Sequence, residues 1–196
     1  MATKLHQFRT LPATCALLLT ALLLNAAGAA QAEDPLRSGL QAGEQVTATF
    51  RPLNVTGPYA GEPHCLVCEN GADPVAMIFA RKLDQPLIKL LAEIDAATAR
   101  HGKQQMGSFV VFLSDDARLA ERLSKFAEEK SLKQIVLSID DPAGPDGFKV
   151  SPDADVTVVL YREHEVKSNH AFRAGELSEE SIDRILADLP RIVGEE

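Results

Sequence analysis

The chain has 196 residues, 45% of them hydrophobic but only 5% aromatic, with 20 basic against 28 acidic side chains and a formal charge of −8. That is enough chain for one domain with its own core. The acidic balance, with no basic patch interleaved with aromatics, sets nucleic-acid binding aside as a function class.

In chain order, Lys4 and Arg9 precede an apolar stretch from Cys15 through Leu24, and Ala30-Gln31-Ala32 follows it. Basic, apolar and small-residue parts in that sequence are those of a secretory signal, with cleavage expected near Ala32. The apolar run falls short of the roughly 18 to 20 residues that span a bilayer, so no stable membrane anchor is expected. Cys15 begins the run rather than ending it, which argues against lipidation, and it would leave with the leader. The expected mature chain, residues 33–196, carries 18 basic against 28 acidic residues, a net −10. Export to a periplasmic or extracellular compartment allows disulfides to persist, and only Cys65 and Cys68 then remain.

Residues 33–45 are polar with Gly39 and Gly43 and read as a frayed leader to the domain. Residues 46–50 alternate Val, Thr, Ala, Thr and Phe, the pattern of a strand, ended by Pro52. From Asn54 to Pro74 the glycines and prolines (Gly57-Pro58, Gly61, Pro63, Gly71) predict a loop of about 20 residues without regular structure. Loops of that length inside a compact domain are usually functional or disordered. Val75 to Ala80 is a buried-strand run, and Leu87, Leu90, Leu91 and Ile94 then recur at helical spacing up to His101-Gly102. The unit repeats: residues 109–113 form a strand, Ser114 or Asp115 is the expected cap, and Leu119, Leu123, Phe126 and Ala127 form a helix face ending near Lys130. Residues 135–139 make a third strand. Continuous apolar strands separated by amphipathic helices predict parallel pairing by right-handed crossovers, with both faces covered. Residues 156–161 and 166–172 read as a hairpin, and Ser178 caps a last helix with Ile182, Ile185, Leu186 and Leu189 on one face, stopped by Pro190.

This order of elements resembles the thioredoxin-like superfamily, and residues 109–166 are most similar to its peroxiredoxin or redoxin branch. The residues that carry the likeness are Val110-Val-Phe-Leu-Ser-Asp-Asp, Ile135-Val-Leu-Ser-Ile-Asp-Asp-Pro142, Phe148-Lys-Val150 and Val156-Thr-Val-Val-Leu-Tyr161. The resemblance covers about residues 75–192. It implies an α/β three-layer sandwich, a central mixed sheet with helices on both faces, here with an added N-terminal strand and long loop. The implied organisation is a signal peptide at 1–32, an N-terminal extension at 33–74 and a thioredoxin-like domain at 75–196. In that superfamily the reactive cysteine follows the first central strand, but the corresponding Arg81-Lys-Leu-Asp-Gln-Pro-Leu-Ile88 contains none. The later strand, which a cis-proline precedes in thioredoxins, follows Asp155 here. The motif Gly57-Pro-Tyr-Ala-Gly61…Cys65-Leu-Val-Cys68…Gly71…Pro74-Val75 is similar to one in exported bacterial thioredoxin-like proteins.

Cys65 and Cys68 are thus the candidate site residues, a C-x-x-C displaced upstream of the first central strand. A bond between them closes a four-residue ring, worth roughly 2 kcal/mol of chain entropy against about 3 for fifteen residues, so it is a weak staple. A short ring in an exposed loop is accessible and tends to be reducible. His64 favours a thiolate when protonated, Glu62 and Glu69 disfavour one, and analogy with other dithiol motifs makes Cys65 the attacker and Cys68 the resolver. A metal set of Cys65, Cys68 and His64 with His101, His164 or His170 lacks the second paired motif of a zinc site, so neither a metal nor a cofactor is assigned. His101 reads as a helix C-terminal residue, His164 as a hairpin turn and His170 as an exposed strand residue. Two functions follow: thiol-disulfide exchange with a protein partner through Cys65 and Cys68, or a non-catalytic thioredoxin-like binding module whose disulfide or metal orders the loop.

Overall fold

In a computed structural model the described residues are 35–194. The expected signal segment at 1–32 lies outside them. Among the described residues no helix is long and apolar enough to cross a membrane.

Six strands form one mixed sheet: β1 (Leu53–Asn54), β2 (Val75–Ala80), β3 (Gly107–Leu113), β4 (Val136–Asp140), β5 (Val156–Arg162) and β6 (Glu165–Phe172), in the spatial order β1-β4-β3-β2-β5-β6. β2, β3 and β4 are parallel, as their continuous apolar runs predict, and β5 runs antiparallel to β2. Every residue of β2 is buried, because neighbours pair on both edges and chain covers both faces. β5 and β6 form the expected hairpin through Glu163 and His164, both at positive φ (54° and 61°), as a two-residue turn of matching twist requires.

Four helices load one face: α2 (Gln85–Arg100), α3 (Leu119–Lys130), α4 (Glu179–Ala187) and α5 (Pro190–Val193). Leu87, Leu90, Leu91 and Ile94 of α2, Leu123 of α3 and Ile182 and Ile185 of α4 close over Ile78, Val110, Leu137 and Val158. Asp84 caps α2, its carboxylate accepting the Leu87 N–H at 3.0 Å. α3 starts later than predicted and has no side-chain cap. Ser114 and Asp116 instead accept the N–H groups of Asp116 and Arg118 and shape the preceding turn. α4 is capped by Ser178 as expected, and Pro190 opens the short α5 beyond it.

The opposite face is covered mostly by irregular chain. Leu40, Val46, Leu66, Val67 and Phe148 pack there on Val75, Met77, Phe79, Phe109 and Val111. Residues 38–40, expected to fray, are buried: the Ser38 hydroxyl meets Thr157 Oγ1 at 2.7 Å, and the Asn169 amide donates to the carbonyls of Ser38 and Leu40. Residues 46–50 are not a strand. Their alternation is real but serves to lay Val46, Ala48 and Phe50 on the sheet face, with Phe50 edge-on to Phe148 at 4.8 Å. The N-terminal strand is β1, two residues long, paired antiparallel with β4 at the sheet edge. Among the described residues the helix on this face is α1 (Leu66–Asn70), inside the segment expected to hold no regular element.

Candidate functional site

The loop that follows β1 folds back on it. Asn54 donates its N–H to the Glu62 carbonyl, Gly61 donates to Asn54, and His64 donates to Pro52, so Gly57, Pro58 and Gly61 make turns within a stitched segment. Cys65 then adopts extended backbone and caps α1, its Sγ accepting the Cys68 N–H at 3.1 Å. Leu66 and Val67, each 2% exposed, sink into the apolar cluster and anchor the single turn. At its end the Asn70 amide donates to the Leu66 carbonyl at 2.7 Å, and the Asn70 side chain occupies the space beside Gly107 where a Cβ would stand.

Cys65 and Cys68 are joined by a disulfide with their Cα atoms 5.3 Å apart. The C-x-x-C therefore does open a helix, although a short one and before β2 rather than after it. Two clefts meet at Cys68. One, of about 430 Å³, is lined by Arg51, Tyr59, His64, both cysteines and Glu69. The other, of about 500 Å³, includes Thr47, Thr49, Val67, Cys68, Gly71 and His164.

In the first cleft the Tyr59 and His64 rings stack at 3.5 Å with planes 10° apart, and His64 Nε2 lies 3.1 Å from a Glu69 carboxylate oxygen. The histidine and one of the two acids expected to act on the thiols thus engage each other. Arg51 donates to the Pro63 carbonyl at 3.0 Å and leaves the rest of its guanidinium in the cleft. Nothing in the local sequence marks Arg51, and Tyr59 stands out only as a member of the Gly57–Gly61 motif; the fold-back of residues 54–64 brings both to the sulfurs. His164 is the turn residue expected, and it reaches the second cleft because residue 45 bridges to Glu165 at the hairpin.

Neither His101 nor His170 lines the two clefts. His101 ends α2, as read. His170 is not an exposed strand residue: its side chain is 19% exposed, 3.0 Å from both the Ser168 hydroxyl and an Asp188 carboxylate oxygen. Burial is the larger influence on that imidazole and holds its pKa below the ordinary histidine value, against the pull of Asp188.

At the C-terminal end of β2, where the resemblance places a reactive cysteine, Arg81 donates to the carbonyls of Pro142, Ser151 and Ala154 at 2.8, 3.3 and 3.0 Å. It ties the loop before β5 to the sheet. No cis peptide bond occurs among the described residues. α1 lies instead toward the N-terminal ends of the parallel strands, where Asn70 meets Gly107 and Glu163 donates to the Ala72 carbonyl. The six residues of β2 separate the two ends, about 20 Å of strand.

No protein-family model and no curated protein sequence matches this chain. Solved structures do match. A solution structure from Bacteroides thetaiotaomicron, described as a candidate protein disulfide isomerase, aligns with a TM-score of 0.60 at 16% identity over 82% of this chain and 96% of its own. The peroxidoxin BcpB of Mycobacterium tuberculosis aligns at 0.56 and 17% identity over 78% of this chain and 98% of its own. The thioredoxin domain of a thiol-disulfide oxidoreductase from Bacteroides vulgatus aligns at 0.50 and 9% identity over 76% and 99%. The fold is thioredoxin-like, as the order of elements implied.

Proposed function

We propose that this protein exchanges thiols and disulfides with a protein partner through Cys65 and Cys68, after export and removal of residues 1–32. The observation that carries the reading is the disulfide itself, closed across a four-residue ring with Cys68 exposed at the meeting of two clefts. Such a bond contributes little as a staple and is open to an attacking thiolate. The neighbours in fold include proteins described as a disulfide isomerase candidate and a thiol-disulfide oxidoreductase, which agrees with this chemistry. The extension, residues 33–74, supplies the sulfurs, and the domain at 75–196 supplies the platform that positions them.

The competing reading is a binding module with a structural disulfide. It is favoured by Arg81, which fills the ordinary reactive position with loop-tying hydrogen bonds, and by the burial of Cys65. Turnover separates the two. The mature protein is expected to catalyse reduction of a disulfide substrate by a dithiol, and the double variant Cys65→Ser/Cys68→Ser to show no turnover; equal rates for wild type and double variant would leave the binding module.

A further inference from the structure

The two sulfurs are not equivalent. Cys65 is 9% exposed and belongs to the apolar cluster with Leu66, Val67 and Val75. Cys68 is exposed and lines both clefts. The cause lies in α1 and its cap: Cys65 at the N-cap and Leu66 and Val67 in the first turn are buried, and Cys68 and Glu69 are exposed. We propose that Cys68, the second cysteine of the pair, is the sulfur that bonds to the partner, and that Cys65 is the resolving sulfur. This rests on the exchange reading above. It reverses the order that analogy with dithiol motifs gives, in which the first cysteine attacks.

With a partner dithiol, a partner thiolate attacks Cys68 Sγ. A partner–Cys68 disulfide forms, the Cys65–Cys68 bond breaks, and its electron pair stays on Cys65 Sγ as a thiolate. The second partner thiolate then attacks the partner sulfur of the mixed disulfide and displaces Cys68 as a thiolate. The two protons given up by the partner thiols complete the reduced pair, so the partner is oxidised and Cys65/Cys68 reduced by two electrons. In the opposite direction Cys68 attacks a partner disulfide and Cys65 resolves the adduct by attacking Cys68 Sγ. The buried sulfur suits the leaving position because its Sγ already accepts the Cys68 N–H at 3.1 Å, a donor in place when negative charge arrives.

The test uses the full mature chain in two forms. Reduced Cys65→Ser and Cys68→Ser are reacted with oxidised glutathione and followed by intact mass. Reduced wild type is treated with limiting iodoacetamide and mapped by peptide mass, which requires no variant to fold. Cys65→Ser, holding only Cys68, is expected to take glutathione at least about tenfold faster than Cys68→Ser, and wild type to be alkylated first at Cys68. First labelling at Cys65, or equal rates at both sulfurs, would overturn the assignment while exchange stands. Failure of both variants to take glutathione, together with absence of wild-type turnover, would remove the exchange reading and this assignment with it.

Discussion

His170 joins the hairpin to the C-terminal helices, and its chemistry makes that junction sensitive to acid. Asp188 accepts hydrogen bonds from Ser168 and His170 and pairs with Arg191 at 3.0 Å, while Arg184 and Arg191 add positive charge that opposes protonation of the ring. The folded pKa lies below the unfolded value of about 6.5, so the unfolded chain binds the proton more readily. Stability contributed here is therefore present above that value and is lost as pH falls through it. Chemical denaturation across pH 7.5 to about 5 is expected to show wild-type stability declining. His170→Gln should flatten the decline and cost about 1 kcal/mol at neutral pH from the lost hydrogen bonds; an equal slope in both proteins would contradict this. None of it was visible in the sequence, where His170 reads as one more polar residue of a strand. Its partners stand on β6 itself and 18 residues downstream, and only the docking of the last helices brings Asp188 back.

At the scale of elements, the apolar runs and helix faces predicted from periodicity reappear within one or two residues, the start of α3 excepted, because β2, β3 and β5 are buried on both faces. The irregular half of the fold was harder to read. Residues 46–50 alternate like a strand since the sheet face beneath them requires it, yet they bond no neighbouring strand as a ladder. α1 was hidden by the density of glycine and proline around it; five residues are too few for periodicity to show, and tertiary anchoring by Leu66 and Val67 supplies what propensity does not. Its placement yields a test. Gly107→Ala would put a methyl group where the Asn70 side chain lies, overlapping its Oδ1, and so break the Asn70 bond to Leu66. The variant is expected to lose about 1 kcal/mol and to show faster amide exchange in residues 66–70, with no change in α3. Asp95 offers a second test. One carboxylate oxygen of this α2 residue accepts the N–H groups of Lys133, Gln134 and Ile135 at 2.9, 2.7 and 2.9 Å, fixing the entry to β4. Asp95→Ala should destabilise the protein by about 1 to 3 kcal/mol in denaturant melts.

Across the whole molecule, the two ends of the parallel strands are built differently. At the C-terminal end, where α/β folds usually bind ligands, Arg81 holds three carbonyls of the loop before β5. The other end carries α1 and the sulfur pair, anchored where Leu66 and Val67 pack in one apolar cluster with Val75, Met77 and Phe109. The position of the C-x-x-C ahead of β2 announced this displacement in the sequence, but the inequality of the sulfurs and the two clefts required the fold-back of the chain over the sheet. Reversibility of the bond between Cys65 and Cys68 decides between exchange and a structural staple. Equilibration of the mature protein with glutathione and dithiothreitol buffers, read by thiol-trapping mass shift, measures it directly. A midpoint above about −300 mV, within the range of exchange-active pairs, is the result this account predicts; a midpoint well below that value would make the disulfide a structural staple and contradict it.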